Sequence, residues 1–118
     1  MAINLYDMTH DFEEVLRRSD EFKSLKRIYR EVNVDPEAKQ LFNKFNDLHM
    51  ELQHKQMMGQ EIMQYEIEEV QKIEEIVQRN EKIVRLMAAE QRMSMLIMEL
   101  NKMITKPLQE IYGNFEEG

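Results

Sequence analysis

The chain has 118 residues, 16 Lys and Arg against 23 Asp and Glu, no cysteine, three glycines and two prolines. That length suits one domain with a single core, spanning residues 1–118. The missing cysteines exclude disulfides, thiolate metal sites and cysteine nucleophiles, and a net charge of −7 argues against nonspecific binding of nucleic acid or anionic membrane by the whole surface.

The composition favours helix throughout, and five helical segments can be read in order. Asn4 can cap a first helix whose inward face is Leu5, Met8, Phe12, Val15 and Leu16. Ser19, followed by Asp20 and Glu21, is a fresh start with acids where the helix dipole favours them. The second face is then Phe22, Leu25, Ile28, Tyr29 and Val32. Asn33-Val34-Asp35-Pro36 is the sharpest boundary, because Asp35 is a good N-cap and Pro36 suits the first helical position. Ala38, Leu41, Phe45, Leu48 and Leu52 come next at steps of three and four, with Phe42 alongside, and this third helix should stop near Gly59.

Residues 60–64 read as a short link that offers no strong cap to the next helix. Ile67, Val70, Ile73, Ile76 and Val77 give a fourth amphipathic helix with an acidic outer face. Asn80 caps the fifth. Pro107 predicts a kink or break near Thr105 and Lys106, with Leu108, Ile111 and Tyr112 in a short last helix ended by Gly113 and a frayed acidic tail. No apolar run reaches the ~18 residues of a membrane span. The opening MAINLYDMTHDFEE has acids where a signal peptide needs a basic and then an apolar segment. A cytoplasmic location is the expectation.

The fifth helix carries the strongest signal. Ile83, Ile97, Ile104 and Ile111 form one column, interrupted by Glu90, and Leu86, Met93 and Leu100 widen it into a stripe. Within it, Met93, Met95, Leu96, Ile97 and Met98 leave only Ser94 polar and point in nearly every direction around the axis. A helix apolar all round must be covered all round. About 25 residues before Pro107 would span nearly 40 Å, against a radius of gyration of ~13 Å for a compact domain of this size. The expected fold is therefore all-α: a helical bundle with long amphipathic helices, completed by homo-oligomeric packing. A homodimer is the expected form, with Met93, Met95, Leu96, Ile97, Met98, Leu100 and Ile104 at the interface.

Candidate chemical sites are few. Glu51 and His54 form one Glu-x-x-His, the spacing used in di-iron bundles, but such a site needs two of these motifs and two further glutamates. His49 and His54 do not share a helix face, and His10 with Glu13 and Glu14 reads as a surface pair. Eleven methionines invite a copper(I) reading, yet they fall in apolar stripes where methionine is an adaptable packing residue. No glycine-rich phosphate loop or serine–histidine arrangement is present. No metal, cofactor or catalytic residue is expected, and the chain does not read as an enzyme. One charge feature stands out: Lys23, Lys26, Arg27 and Arg30 on the second helix form a basic face. It reads as solvated, as paired with the acidic span 61–81, or as a docking face for an acidic protein or an RNA backbone.

Several stretches resemble the YheA branch of the YheA/YmcA/YlbF family: Asn4-Leu5-Tyr6-Asp7, Ser19-Asp20-Glu21-Phe22-Lys23, Lys39-Gln40-Leu41-Phe42 with Phe45, residues 56–62, Met87-Ala88-Ala89-Glu90-Gln91, and above all Ile104-Thr105-Lys106-Pro107-Leu108-Gln109-Glu110-Ile111-Tyr112. The resemblance covers essentially the whole chain. It implies a small cytoplasmic helical protein of Gram-positive bacteria whose helices associate between subunits. Its YmcA and YlbF relatives act as non-catalytic partners in a complex tied to RNA processing, competence, sporulation and biofilm formation. The cysteines of relatives implicated in iron–sulfur binding are absent here, so that cofactor does not transfer. The expected role is an interaction protein docking on cytoplasmic partners; the alternative is an RNA-binding accessory using the basic face of the second helix.

Overall fold

Four of the five helices begin on a side chain that turns back onto its own first turn. In a computed structural model, which describes residues 4–113, the helices are α1 (Leu5–Arg17), α2 (Asp20–Asn33), α3 (Pro36–Met57), α4 (Gln64–Gln78) and α5 (Glu81–Ile111), with no strand among the described residues. Asn4 Oδ1 accepts from the N–H groups of Tyr6 and Asp7 at 3.0 and 3.2 Å. Ser19 Oγ accepts from Phe22 at 3.2 Å and Asn80 Oδ1 from Ile83 at 3.1 Å. Asp35 Oδ1 accepts from Glu37 and Ala38 at 3.1 and 3.2 Å. Each removes a free donor that a helix start would otherwise leave unpaired.

The third helix ends in a Schellman turn. Gln60 N–H donates to the Lys55 carbonyl at 2.9 Å and Gly59 N–H to that of Gln56 at 3.2 Å. Gly59 takes φ of 71°, a conformation that suits a residue without Cβ. The fourth helix starts differently. Met63 has no oxygen to offer, and the Glu66 carboxylate instead reaches back to accept from Met63 N–H at 3.0 Å. Lys55 on α3 pairs with the other oxygen of Glu66, so the start of α4 is held by the end of α3.

The break expected at Pro107 does not occur. The fifth helix runs unbroken through it for 31 residues, about 46 Å at 1.5 Å per residue. Proline there removes one ladder bond, to the carbonyl of Met103, at a cost of up to ~3 kcal/mol relative to alanine. This turn is exposed on all sides, so water can take the freed carbonyl and the flanking bonds carry the helix on. Leu108 and Ile111 thus extend α5 rather than form a separate helix, and the chain leaves at Gly113 with φ of 89°. The acidic tail expected beyond it lies outside the described residues.

The core joins four helices. Ile28 and Val32 of α2, Ala38 and Phe42 of α3, Ile73 and Val77 of α4, and Ile83, Leu86 and Ala89 of α5 are buried together, flanked by Leu25, Leu41, Phe45 and Leu48. Full burial of Ile83 and Leu86 contributes about 1.5–3 kcal/mol each. Phe42 lies deeper than Leu41, Phe45 and Leu48 on α3, whereas Tyr29, Ile67 and Ile76, expected on inward faces, sit exposed at the edges. The α2–α5 pair is antiparallel: Arg85 Nη1 is 3.1 Å from Glu31 Oε2 and Lys82 Nζ is 3.0 Å from Asp35 Oδ2. This register sets the N-terminus of α2 beside α5 just beyond Met93.

The first helix departs furthest from expectation. It touches only α2, none of its residues is buried, and Leu5, at 73% exposure, faces solvent with Met8, Phe12 and Val15. Its stripe is real, but its own chain does not cover it. With α1 and the far half of α5 standing clear, the molecule measures 58 × 37 × 26 Å and its radius of gyration is 19.5 Å, against ~13 Å for a compact domain of about 100 residues.

Candidate functional site

The uncovered part of α5 is a continuation of the core. At 100° per residue, Ile97, Leu100, Ile104 and Ile111 lie on the same side as Leu86, Ala89 and Met93. Met93 is buried by its own chain, Leu96 and Leu100 are half-buried, and Ile104 and Ile111 are exposed at 66% and 74%. One stripe therefore starts inside the body and runs out of cover beyond Met93. Of the residues assigned to an interface, Met93 belongs to the monomer core; Met95, Ile97, Met98 and Ile104 stay exposed. Met95 and Met98 stand on the far side of the helix from the stripe, which is how this segment becomes apolar all round.

The chain exposes more surface than a compact fold of its mass. The chain exposes 9965 Å², whereas a folded monomer of 14.3 kDa exposes about 6,800 Å². Among the described residues, large apolar side chains left exposed include Leu5, Met8, Phe12 and Val15 on α1 and Ile97, Ile104, Leu108 and Ile111 on α5.

The basic face of α2 points away from the core, since Lys23, Lys26, Arg27 and Arg30 lie opposite Ile28 and Val32 around the helix. All four are exposed, and none is ion-paired among the described residues. The acidic fourth helix is not their counterpart. It packs on α3 and α5 and does not touch α2. Its Glu66 pairs with Lys55 and its Glu74 lies 3.4 Å from His49, both on α3. Glu68, Glu69 and Glu75 are left on an open surface beside Tyr65 and Lys72.

No three His, Asp or Glu side chains converge as metal ligands among the described residues. Glu51 and His54 are exposed. His49 stacks on Phe45, ring centroids 4.4 Å apart, and together with Glu74 it ties α3 to α4, a role its spacing in the sequence does not announce. His10 lies 3.8 Å from Glu13 on the surface of α1. Met57 and Met58 are exposed.

Three carboxyls are perturbed. Lys82, with the backbone N–H groups of Ala38 and Glu37, holds Asp35 below the usual carboxylate range. Lys55 and the N–H of Met63 do the same for Glu66, and Glu66 in turn raises Lys55. Glu90, set in the isoleucine column of α5, is pushed up by desolvation.

The family described as control of competence regulator ComK, YlbF/YmcA matches residues 5–109. The chain is 55% identical to the UPF0342 protein YheA of Bacillus subtilis over 116 residues, covering 98% of this chain and 99% of that protein. It is 54% identical over 116 residues to a UPF0342 protein of Bacillus licheniformis, with 98% and 99% covered. A solved structure of a protein of unknown function (DUF964) from Bacillus stearothermophilus superposes with a TM-score of 0.84 at 40% identity, covering 94% of this chain and 97% of that one. No helix among the described residues is long and apolar enough to cross a membrane. With its helical architecture and near full-length relatives in agreement, the chain belongs to the YlbF/YmcA family, in its YheA-like branch.

Proposed function

We propose that this protein is a non-catalytic helical adaptor, a cytoplasmic homodimer that docks on other proteins. The observation that carries the reading is the pair of uncovered apolar stripes, Leu5, Met8, Phe12 and Val15 on α1 and Ile97, Ile104, Leu108 and Ile111 on the far half of α5. Such stripes exposed in water favour association by the hydrophobic effect. The unpaired bases of α2 lie on a different face from the apolar stripes, which leaves them free for a second, acidic partner once the dimer has formed. The family's link to control of the competence regulator ComK directs the search for that partner to the same regulatory circuit.

Equilibrium sedimentation tests the dimer. The wild type is expected at twice 14.3 kDa, and Ile97→Asp, which sets a charge in the apolar contact, is expected to dissociate or unfold it. A stable, fully helical monomer at micromolar concentration would sink the reading. The same four free bases favour a second reading, direct RNA binding, and a salt titration separates the two. Phosphate contacts give a steep loss of affinity with salt, whereas an adaptor gives no RNA binding at all.

A further inference from the structure

The outer half of the α3–α4 hairpin stands apart from the core. No member of the core cluster lies between residues 49 and 72. Beyond the His49–Glu74 contact the hairpin has its own small seam: Val70 is buried outside the cluster, Leu52 and Ile62 are half-buried, and Lys55 pairs with Glu66.

This seam leaves large apolar side chains in water at the tip. Met57, Met58, Met63 and Tyr65 fall in one short stretch, and all four are exposed. Met50, one heptad before Met57, shares its face of α3, opposite Lys55, and is exposed too. The fold does not require these side chains. The turn at Gly59 closes through backbone groups alone, and the tip has no core gap for methionine to fill. Unbranched and polarizable, methionine suits a surface that repacks around an incoming apolar group.

Charge decides what kind of partner covers the patch. Residues 50–71 carry five glutamates and one lysine, and that lysine is committed to Glu66. Glu51, Glu61, Glu68 and Glu69 are exposed, and none is ion-paired among the described residues. Tyr65 shares a shallow hollow with Glu68, Glu69 and Lys72. An acidic protein, a phosphate backbone or an anionic membrane is repelled by such a rim. A cationic side chain meets carboxylates and the face of an aromatic ring. Apolar centre and acidic rim together fit an amphipathic helix whose polar face is basic.

We propose that the tip of the α3–α4 hairpin docks a basic amphipathic helix of another protein, with its apolar face on the methionines and its lysine or arginine side chains among Glu61, Glu68 and Glu69. The surface is opposite in charge to the exposed face of α2 and uses neither the α1 nor the α5 stripe. It therefore goes beyond the adaptor reading, and either can fail without the other.

The probe is a short helical peptide of leucine and lysine with its leucines at helical spacing. Its binding to the full chain is followed by fluorescence anisotropy and by NMR of isotope-labelled methionine methyl groups. The methyls of Met57, Met58 and Met63 are expected to shift saturably. Affinity is expected to fall at least about tenfold in Met57→Gln with Met58→Gln, and likewise in Glu68→Lys with Glu69→Lys. All four positions are exposed, so circular dichroism should match wild type. A peptide with glutamate for lysine, and one of the same composition in scrambled order, should bind at least about tenfold more weakly. Shifts confined to Met95, Met98 and Met103 on α5, equal affinity for the glutamate peptide, or no loss in the glutamine pair would overturn the proposal. So would tip shifts that follow protein concentration alone, which assign the tip to a second copy, or binding to phosphatidylcholine vesicles without binding to the peptide. A monomeric wild type that binds the peptide at the tip would remove the homodimer and support this surface.

Discussion

Lys82 in the first turn of α5 holds the carboxylate of Asp35 from 3.0 Å, 47 residues away in sequence, while the other oxygen of that carboxylate caps α3. One side chain thus fixes where α3 begins and where α5 crosses it. Asn is as good an N-cap as Asp but carries no charge. Asp35→Asn should therefore keep the cap, lose the Lys82 pairing and lower Tm slightly. Asp35→Ala loses both and should lower it by several degrees. Equal losses in thermal melts of the two variants would show that the cap contributes little.

Acid should weaken the fold through two carboxyls and spare it at a third. Asp35 and Glu66 have depressed folded values, so their contribution is present above the ordinary carboxylate range, about pH 4, and is lost as pH falls through the folded values. Glu90 is raised by desolvation, so its sign is opposite. Its charge opposes folding at neutral pH, and the opposition disappears as the group protonates. Glu90→Gln should raise Tm slightly near pH 7 and have no effect below about pH 4. The side chain is exposed by more than a third, which keeps the gain small. Melts of wild type and variant across this range decide it; a constant offset at all pH values would remove the titration argument.

Local rules account for much of the fold. Asn4, Ser19, Asp35 and Asn80 each carry an oxygen on the right residue, and the structure uses all four. The start of α4 is not legible in the sequence because Met63 has nothing to cap with; its N–H is satisfied by Glu66, which Lys55 steadies from another helix. Pro107 does not break α5 because its cost depends on whether the freed carbonyl can reach water, and burial is not a local property. The α1 stripe is legible as a stripe but not as an uncovered one. Periodicity says that a face wants cover and is silent about which chain supplies it. The acidic fourth helix likewise matches the basic face of α2 in charge alone, since packing turns it toward α3.

The basic face offers a test of partner docking that leaves the fold intact. Arg27→Glu with Arg30→Glu should abolish recovery of the main protein partner in a pull-down. Exposed charges of this kind contribute only about 0–1 kcal/mol to stability, so melting and sedimentation should match wild type. Unchanged recovery with a folded double variant would leave the face merely solvated.

Removing the ring at Pro107 should tighten the outer end of α5. Pro107→Ala restores an N–H to the Met103 carbonyl and replaces the poorest helix former with the best. Amide exchange at Leu108 to Ile111 should slow. Exchange that does not change would mean this turn is held by something other than its own ladder.

If a second copy covers the outer half of the α5 stripe, as proposed above, part of the protein's stability depends on its amount. With a second copy seated on the outer half, the bound state is favoured by mass action: a hundredfold excess over the dissociation constant adds roughly 2.7 kcal/mol, and dilution takes it away. Melting temperature should then climb with concentration. In a cell, the same dependence would expose scarce chains to unfolding and proteolysis and protect abundant ones, so that the level of the protein would help set its own lifetime.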